Sequence, residues 1–322
     1  MRVLFLGTPG FSVPTLKAID ESPHALIGVV TQPDREKGRG LKAAAPPVKV
    51  AAQALGIALY QPEGGKGFQA RLRDIIAKTD PDIAVVVAYG QIIGSKALDQ
   101  TEYGFVNLHA SLLPELRGAA PIHWAVIRGY EETGVTTMHV TPELDAGDII
   151  LTRRIDIGQG DTAGSVHDCL AGLGATLMVE TLDMLEEGTA PRRPQNDADA
   201  TWAPKLSSND ETICWAAGSR EVFNQVRGLY PWPRATTYWQ GAAIKVNAVS
   251  PVNQADLGEV GLDYPPGSIV ALKKGLGPVV KCGQGRVLVT EVQPAGSRVI
   301  SGADFLNGYS PTEGDQFAAD GG

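Results

Sequence analysis

Short apolar runs rich in β-branched residues alternate with amphipathic segments through the first 185 residues, and this alternation limits the possible folds more than any other feature. Between the runs, apolar residues recur at helical spacing, as Leu72, Ile75 and Ile76 do. Strand–helix–strand order is typical of a parallel sheet with helices on both of its faces. We therefore predict an α/β fold with a Rossmann-like N-terminal sheet.

The same pattern assigns individual elements. Two later extended runs, Val135–Val140 and Ile149–Ile157, lie close together and predict a hairpin-like addition to the sheet. A long helical pattern then covers Ala163–Leu185. The earlier predicted strands are Val3–Leu6, Leu26–Thr31, Ile83–Ala88 and Phe105–His109, and the earlier predicted helices are Val48–Leu55 and Phe68–Lys78.

The chain changes character after the long helix. From Glu187 to Ser208 it is rich in Pro, Ala, Asp and Asn without apolar periodicity, which is typical of an interdomain linker. Short strand-like runs punctuated by Gly and Pro follow, and they favour a small closed or partly open β-barrel, of which the oligonucleotide-binding (OB) type is one form. The predicted boundaries are 1–188 for the first domain, 189–208 for the linker and 209–322 for the barrel, with a disordered tail from Thr312.

Composition excludes several classes of protein. Hydrophobic residues make up 43% of the chain and charged residues 20%, which is the balance of a globular protein. The run Val3–Leu6 is too short for a secretory signal, and no run approaches the roughly 18 apolar residues of a membrane span. The three cysteines lie far apart and the histidines lack metal-ligand spacing. We therefore predict a cytoplasmic protein without a disulfide framework, a membrane segment or a metal site.

The segment Gly104–Trp124, GFVNLHASLLPELRGAAPIHW, contains the residues best suited to catalysis. In an extended strand, Asn107 and His109 share one face. They would stand at the carboxyl end of a strand, where open α/β sheets bind ligands. Taken alone, the pair is also explained by side chains that cap the end of a strand.

The loop after this strand favours a pocket. Pro114 and Pro121 restrict its backbone, whereas Gly118 allows it conformations that other residues avoid. Pro121 also suits the first turn of a helix over Ile122–Arg128. A second turn-rich loop supplies Asp145, whose carboxylate can orient an imidazole and stabilise its protonated form. An ordinary acidic turn is the alternative explanation of that loop. We predict that this carboxylate joins the Asn-x-His pair in one site.

A local basic segment lies in this acidic chain, whose net charge is -8. A negative net charge argues against an extended basic surface for nucleic acid. The segment Thr31–Lys49 nevertheless contains Arg35, Lys37, Arg39, Lys42 and Lys49 against Asp34 and Glu36. The glycines on either side of Arg39 allow the backbone to follow a partner's phosphates, which favours RNA contact. A solvated surface loop, the usual explanation of a charge run, remains the alternative.

Two other catalytic classes are not supported. The turn FLGTPGF after the first strand lacks the third glycine of a dinucleotide fingerprint, and no ribose-binding acid follows at the expected distance. Ser111 does not stand in the G-x-S-x-G turn of a serine hydrolase. The polar strand end therefore remains the best candidate site.

These motifs resemble those of a known family. The run VNLHASLLPELRGAAPI, followed by LDAGD, closely resembles the signature of the 10-formyltetrahydrofolate-dependent formyltransferases. The segments FLGTPGF, TQPDREKGRG, VVAYGQII and RGLYPWPRA occur in the order found in the members of that family that act on methionyl-tRNA. The resemblance covers the whole chain. It implies a cytoplasmic enzyme of translation initiation that transfers a formyl group from 10-formyltetrahydrofolate to initiator methionyl-tRNA.

The resemblance also implies a role for each motif. The catalytic residues would be Asn107, His109 and Asp145. Folate would be bound by Ser111, Leu112, Leu113 and Pro114 and by Tyr89, Gly90, Gln91 and Ile92. The acceptor end of the tRNA would be contacted by Arg35, Lys37, Arg39 and Lys42, and the barrel 209–322 would hold its helical arm. Neither a metal nor an obligate protein partner is implied.

Three alternatives stay open at this point. The first is a formyltransferase acting on another amine, such as an amino-sugar nucleotide, with the same folate. The second is a hydrolase that releases formate from that folate, and the third is a tRNA-binding module without catalytic activity. The basic segment and the barrel favour a tRNA-borne amine as the acceptor.

Overall fold

The chain divides into two compact units, and the computed structural model describes residues 1–37, 42–253 and 263–320. The first unit consists of Met1–Pro121, Glu132–Asp156 and His167–Ala203. The second consists of Ile122–Glu131, Ile157–Val166 and Pro204–Gly322, so it takes in two short stretches from the N-terminal half. The domain boundaries at residues 188 and 208 remain a prediction.

The elements up to residue 203 follow the predicted alternation. The strands are β1 Arg2–Gly7, β2 Ala25–Val30, β3 Arg35–Lys37, β4 Lys42–Ala44, β5 Leu59–Tyr60, β6 Ile83–Val87, β7 Phe105–His109, β8 Arg117–Gly118, β9 Glu132–His139, β10 Ile149–Asp156 and β11 Trp202–Ala203. The helices are α1 Val13–Asp20, α2 Pro47–Ala54, α3 Phe68–Thr79, α4 Ser95–Leu98, α5 Pro121–Ile127 and α6 Ala163–Glu186. None of the helices among the described residues is both long and apolar enough to cross a membrane.

The main sheet of the first unit has the strand order β10-β9-β7-β6-β1-β2-β5. The five strands from β7 to β5 are parallel, while β9 is antiparallel to β7 and to β10. This arrangement confirms the parallel sheet and the hairpin-like addition. Chain order reverses between β1 and β6, and such a switch point leaves a crevice beyond the carboxyl ends of the strands, where open α/β sheets bind ligands.

Helices pack on both faces of this sheet. On one face, Phe105 of β7 lies in a buried cluster with Phe68 and Leu72 of α3. On the other face, Leu108 of β7 lies directly against Gly174 of α6, where an added Cβ would come within 2.5 Å of the leucine. Every residue of β6 is buried, as is typical of a central parallel strand covered on both sides. The Rossmann-like prediction is confirmed.

In the second unit, the described residues after Pro204 form helices and an antiparallel sheet. Its further helices are α7 Ser208–Glu211, α8 Ser219–Gly228 and α9 Gly302–Tyr309, and its strands are β12 Ala235–Trp239, β13 Ala242–Val252, β14 Ile269–Lys273, β15 Gly277–Lys281, β16 Arg286–Pro294, β17 Ile300–Ser301 and β18 Phe317–Ala318. The internal stretches are bonded into this unit. Trp124 Nε1 donates to the Pro204 oxygen (2.7 Å), and Arg227 Nη1 donates to the oxygens of Gly158 (2.8 Å) and Asp161 (3.0 Å).

This second sheet curls until its edges meet. Its order is β14-β15-β16-β13-β12-β18, with every neighbouring pair antiparallel. The Ile269 N–H donates to the Asp315 oxygen (2.7 Å), and the Phe317 N–H donates to the Gly267 oxygen (2.9 Å), which joins the two edges. These bonds confirm a small, partly open barrel.

The prediction of a disordered tail is wrong for the residues around β18. Phe317 is 1% exposed and stacks on Trp215, with ring centroids 5.9 Å apart. Its strand pairs with Tyr238 and Trp239 of β12. Phe317 orders this part of the tail because its side chain packs in a buried site made by residues distant in sequence.

Candidate active site

Strand β7 places the Asn-x-His pair near the middle of the main sheet. It lies between β6 and β9, where Asn107 is in register with Val86 and Met138. The Asn107 side chain is half-buried and makes no hydrogen bond to any described residue. A half-buried amide that bonds to none of the described residues is a candidate donor to a ligand.

The His109 ring is buried, and each of its nitrogens faces an oxygen of another residue. Nε2 lies 2.9 Å from the backbone oxygen of Leu116. Since a carbonyl oxygen only accepts, Nε2 carries the proton. Nδ1 faces Asp145 Oδ2 at 3.7 Å, which is an ion-pair distance when the ring is protonated and is too long for a direct hydrogen bond. The carboxylate therefore faces Nδ1 without holding it in a direct hydrogen bond.

Asp145 reaches this position because its loop folds back towards β7. Its Oδ2 accepts a hydrogen bond from the Gly118 N–H (2.9 Å). Two glycines make the close approach possible. A Cβ on Gly118, which has φ +121°, would lie 2.6 Å from the Ala203 oxygen, and a Cβ on Gly147 would lie 1.8 Å from the His139 oxygen.

The loop after β7, predicted to bind folate, is fixed by its own hydrogen bonds. Thr136 Oγ1 donates to the Ser111 oxygen (2.7 Å) and accepts from the Leu113 N–H (3.2 Å). Ser111 and Leu113 are buried, whereas Leu112 and Pro114 are half-buried. The two half-buried residues are the members of this set that can touch a ligand without a rearrangement of the loop.

Two positioning residues went unnoticed in the sequence. Gln195 Nε2 donates to the backbone oxygens of Asp145 (2.9 Å) and Gly147 (2.8 Å), which fixes the loop that presents the carboxylate. Arg117, itself 4% exposed, donates to Gln195 Oε1 through Nε (3.1 Å) and Nη2 (2.8 Å) and pairs with Asp197. Arg117 stands in the segment ELRG and Gln195 in the segment RRPQN, and neither segment contains a pattern that predicts this contact.

The second predicted folate segment, Tyr89–Ile92, lies at the switch point between β1 and β6. Thr8 Oγ1 donates to the Tyr89 oxygen (3.0 Å), which ties the ends of the two strands together. Tyr89 is buried, and burial raises the pKa of its phenol, so the hydroxyl stays neutral. Ile92 is 80% exposed. The backbone N–H groups of Gly90, Gln91 and Ile92 donate to no described residue and are available to a ligand.

The basic segment forms a small hairpin in which β3 and β4 pair, with Lys37 opposite Lys42 in the backbone register. Arg35, at its start, is exposed and its Nη2 donates to Gln32 Oε1 (3.4 Å). Arg39 lies outside the described residues. At the foot of the hairpin Lys49 pairs with Asp34 (2.8 Å), and hydrogen bonds from Gln61 and then Lys49 lower the pKa of the Asp34 carboxyl.

A pH dependence of stability is expected from His139, at the end of β9. Its Nε2 is buried and has no hydrogen-bond partner among the described residues. Burial, helped by Arg192 and opposed by Asp148, lowers the pKa of the ring from 6.5. The unfolded chain therefore binds a proton that the folded chain does not. We expect the free energy of unfolding to fall as pH drops below 6.5 through the folded-state pKa.

Replacement of His139 by glutamine removes that titration. Urea unfolding at pH 7.5 and at pH 5.5 measures the loss of stability in each protein. The loss should be smaller in His139→Gln than in the wild type. An equal loss in both proteins would show that His139 does not contribute to the pH dependence.

The described residues include no group of three or more His, Cys, Asp or Glu side chains placed to hold a metal ion. The three cysteines, Cys169, Cys214 and Cys282, are all free thiols. The candidate site therefore consists of an amide, an imidazole and a carboxylate. Such a set can stabilise an oxyanion and move a proton.

Comparisons with known proteins show the family of the chain. The model of the formyl transferase family matches residues 1–182, and that of the formyl transferase C-terminal domain matches residues 205–310. The chain is 48% identical over 314 residues to the methionyl-tRNA formyltransferase of Pelotomaculum thermopropionicum, covering 98% of this chain and 97% of that protein. It is 44% identical to the enzyme of that name from Moorella thermoacetica, with 98% of each chain covered.

Solved structures share the fold at low identity. HypX from Aquifex aeolicus in complex with tetrahydrofolic acid matches with a TM-score of 0.61 at 17% identity, covering 96% of this chain and 47% of that one. The sugar 3N-formyl transferase WlaRD matches with a TM-score of 0.64 at 14% identity, covering 92% of this chain and 99% of that one. With two family models and near-full-length relatives in agreement, the chain belongs to the formyl transferase family, among the relatives named methionyl-tRNA formyltransferase.

Proposed function

We propose that this chain transfers the formyl group of 10-formyltetrahydrofolate to the free α-amine of initiator methionyl-tRNA, giving N-formylmethionyl-tRNA for translation initiation. The observation that carries the proposal is the His109–Asp145 pair next to Asn107, whose amide bonds to none of the described residues, in a chain whose near-full-length relatives carry that enzyme name. Because its acceptor is charged tRNA, the enzyme would act in the cytoplasm.

The attacking group needs little activation. An α-amine with a pKa of about 7.7 to 8.0 is partly neutral at neutral pH. Its nitrogen bonds to the formyl carbon, and the carbonyl electron pair moves to oxygen to give a tetrahedral oxyanion. The bond from that carbon to N10 of the folate then breaks, while one proton passes from the amine to N10. The balance leaves a formamide and tetrahydrofolate.

The candidate trio accounts for the two difficult parts of this reaction. The Asn107 amide would donate to the oxyanion, and the protonated His109 ring would add positive charge there. Because Nε2 is bonded to the Leu116 oxygen, Nδ1 would be the ring atom that exchanges the proton with the substrates, directly or through a water. Asp145 would stabilise the charged ring without itself taking the proton.

The surrounding loops would bind the two substrates. Folate binding at the carboxyl ends of β6 and β7 is supported by the half-buried Leu112 and Pro114 and by the backbone N–H groups of Gly90 to Ile92, which donate to none of the described residues. The β3–β4 hairpin supports contact with the acceptor end through Arg35, Lys37, Arg39 and Lys42. Lysine and arginine contacts to phosphates give binding that weakens as salt rises.

Formylation of charged tRNA tests the function directly. The full chain is incubated with 10-formyltetrahydrofolate and either initiator or elongator methionyl-tRNA, and formylmethionine is measured after hydrolysis of the ester. We expect formylation of the initiator tRNA in preference to the elongator. Formylation of neither would contradict the proposal, and equal formylation of both would remove its tRNA specificity.

The same assay separates the alternatives. Formylation of an amino-sugar nucleotide at the rate of methionyl-tRNA would favour a broader acceptor. Release of formate without any amine acceptor would indicate a hydrolase. Binding of tRNA without formylation of any acceptor would indicate a binding module without catalytic activity.

A further inference from the structure

Gln32 is bonded to both of the loops that the proposed function assigns to the two substrates. It follows β2 closely and is 7% exposed. Its Nε2 donates to the Tyr89 oxygen (3.3 Å), and its Oε1 accepts from Gln91 Nε2 and from Arg35 Nη2, each at 3.4 Å. One buried amide therefore joins the proposed folate loop to the first residue of the β3–β4 hairpin.

The backbone around Gln32 is itself held in place. Gln61 Nε2 donates to the Gln32 oxygen (3.0 Å) and to Asp34 Oδ1 (2.9 Å). On the other side, Thr8 Oγ1 donates to the same Tyr89 oxygen that Gln32 contacts (3.0 Å). The backbone at Gln32 and the backbone at Tyr89 are therefore both fixed. A change in the hydrogen bonds of the Gln32 amide is then expected to change how firmly the neighbouring loop is held.

The bonds to the Gln32 oxygen indicate how RNA binding would affect the folate loop. Both bonds to Gln32 Oε1 are long, since N–H···O bonds are usually about 2.9 to 3.0 Å. A phosphate is a stronger acceptor for a guanidinium than a neutral amide is. When a phosphate draws Arg35 away, the Gln32 amide is no longer pulled towards the hairpin and can move closer to Gln91. The bond that remains can then shorten and hold the Tyr89–Ile92 loop more firmly for its ligand.

We propose that Gln32 is a positioning residue that couples the binding of the two substrates. RNA on the hairpin tightens folate binding at the Tyr89–Ile92 loop, and by linkage folate tightens RNA binding by the same factor. The proposal rests on the proposed function for the identity of the two ligands. One neutral hydrogen bond of this kind corresponds to a roughly two- to tenfold change in affinity.

Equilibrium binding to the full chain measures the coupling. The affinity for tetrahydrofolate, which carries no formyl group to transfer, is determined with and without saturating uncharged initiator tRNA. In the wild type, tRNA should tighten tetrahydrofolate binding by about two- to tenfold. In Gln32→Ala the ratio of the two affinities should be close to one. Gln53→Ala, which removes an exposed glutamine of α2, should keep the wild-type ratio.

The ratio separates coupling from a structural effect. A purely structural role for Gln32 would weaken tetrahydrofolate binding equally with and without tRNA, and would leave the ratio unchanged. Thermal unfolding shows whether Gln32→Ala folds. If it does not, Arg35→Ala changes an exposed residue and removes its bond to Gln32 Oε1. The ratio should then be one at a tRNA concentration that saturates this variant.

Two results would overturn the coupling. One is an affinity ratio of one in the wild type. The other is a ratio equal to that of the wild type in Gln32→Ala or, if that variant does not fold, in Arg35→Ala. Failure of the proposed function has a different signature, namely no formylation of methionyl-tRNA by the wild type, whatever the binding ratio.

Discussion

Replacing His109 by alanine is expected to lower kcat by about 10²- to 10⁴-fold, the usual contribution of a positioned acid–base group. The ring supplies a proton on Nε2, bonded to the Leu116 oxygen, and a titratable Nδ1 beside Asp145. Alanine removes both and leaves the carboxylate without its partner. Single-turnover formylation of methionyl-tRNA, with both substrates saturating, measures the loss in the chemical step.

Two controls make this result specific. His167→Ala, at a ring 40% exposed in the same unit, should retain the wild-type rate. Asp145→Asn keeps an oxygen to accept from the Gly118 N–H but loses the charge that faces the ring. If Asp145 acts through the histidine, adding Asp145→Asn to His109→Ala should cost no further rate. A rate within threefold of wild type in a folded His109→Ala would remove the histidine from the mechanism.

Replacing Asn107 by alanine should lower kcat by about 10²- to 10³-fold, because one oxyanion donor typically contributes about 2.7 to 4 kcal/mol. Its side chain has no hydrogen bond to any described residue, so the substitution disturbs little else. The KM values should change less than kcat, since the oxyanion exists only in the transition state. Steady-state kinetics with each substrate varied in turn measures the changes in kcat and in KM separately.

The shape-conserving variant Asn107→Asp sharpens the test. It keeps the outline of the side chain but replaces the N–H donor by a carboxylate oxygen, which would repel an oxyanion. We expect a loss at least as large as in Asn107→Ala. Asn307→Ala, on an exposed face of α9, is the matched control. Near wild-type turnover in Asn107→Asp would contradict the role of a donor.

Local patterns predicted much of the fold. Strand β7 has the predicted bounds Phe105–His109 because its apolar and polar residues alternate and a glycine precedes them. Helix α5 begins at Pro121, as proline in a first helical turn predicts. The pair Asn107 and His109 was found for the same reason, since the period of a strand alone places both on one face.

Contacts between residues distant in sequence were beyond such patterns. Gln195 bonds to the backbone of Asp145, fifty residues earlier, and no periodicity connects the two positions. The prediction of a disordered tail fails for the same reason, because the partners of Phe317, among them Trp215 and Phe305, lie far back along the chain. The 3.7 Å approach of Asp145 to His109 depends on the same kind of long-range bond, through Gly118.

The three-part make-up of the second unit has a consequence for protein synthesis. Arg227 bonds to the oxygen of Asp161, which is made 66 residues earlier. At roughly 5 to 20 residues per second, the ribosome adds the arginine about 3 to 13 seconds after that acceptor. During this interval Asp161 lacks the arginine that bonds to it in the folded unit. A fragment that began at Pro204 would lack the stretches Ile122–Glu131 and Ile157–Val166, so a clone of the barrel alone should be less stable than the barrel in the full chain.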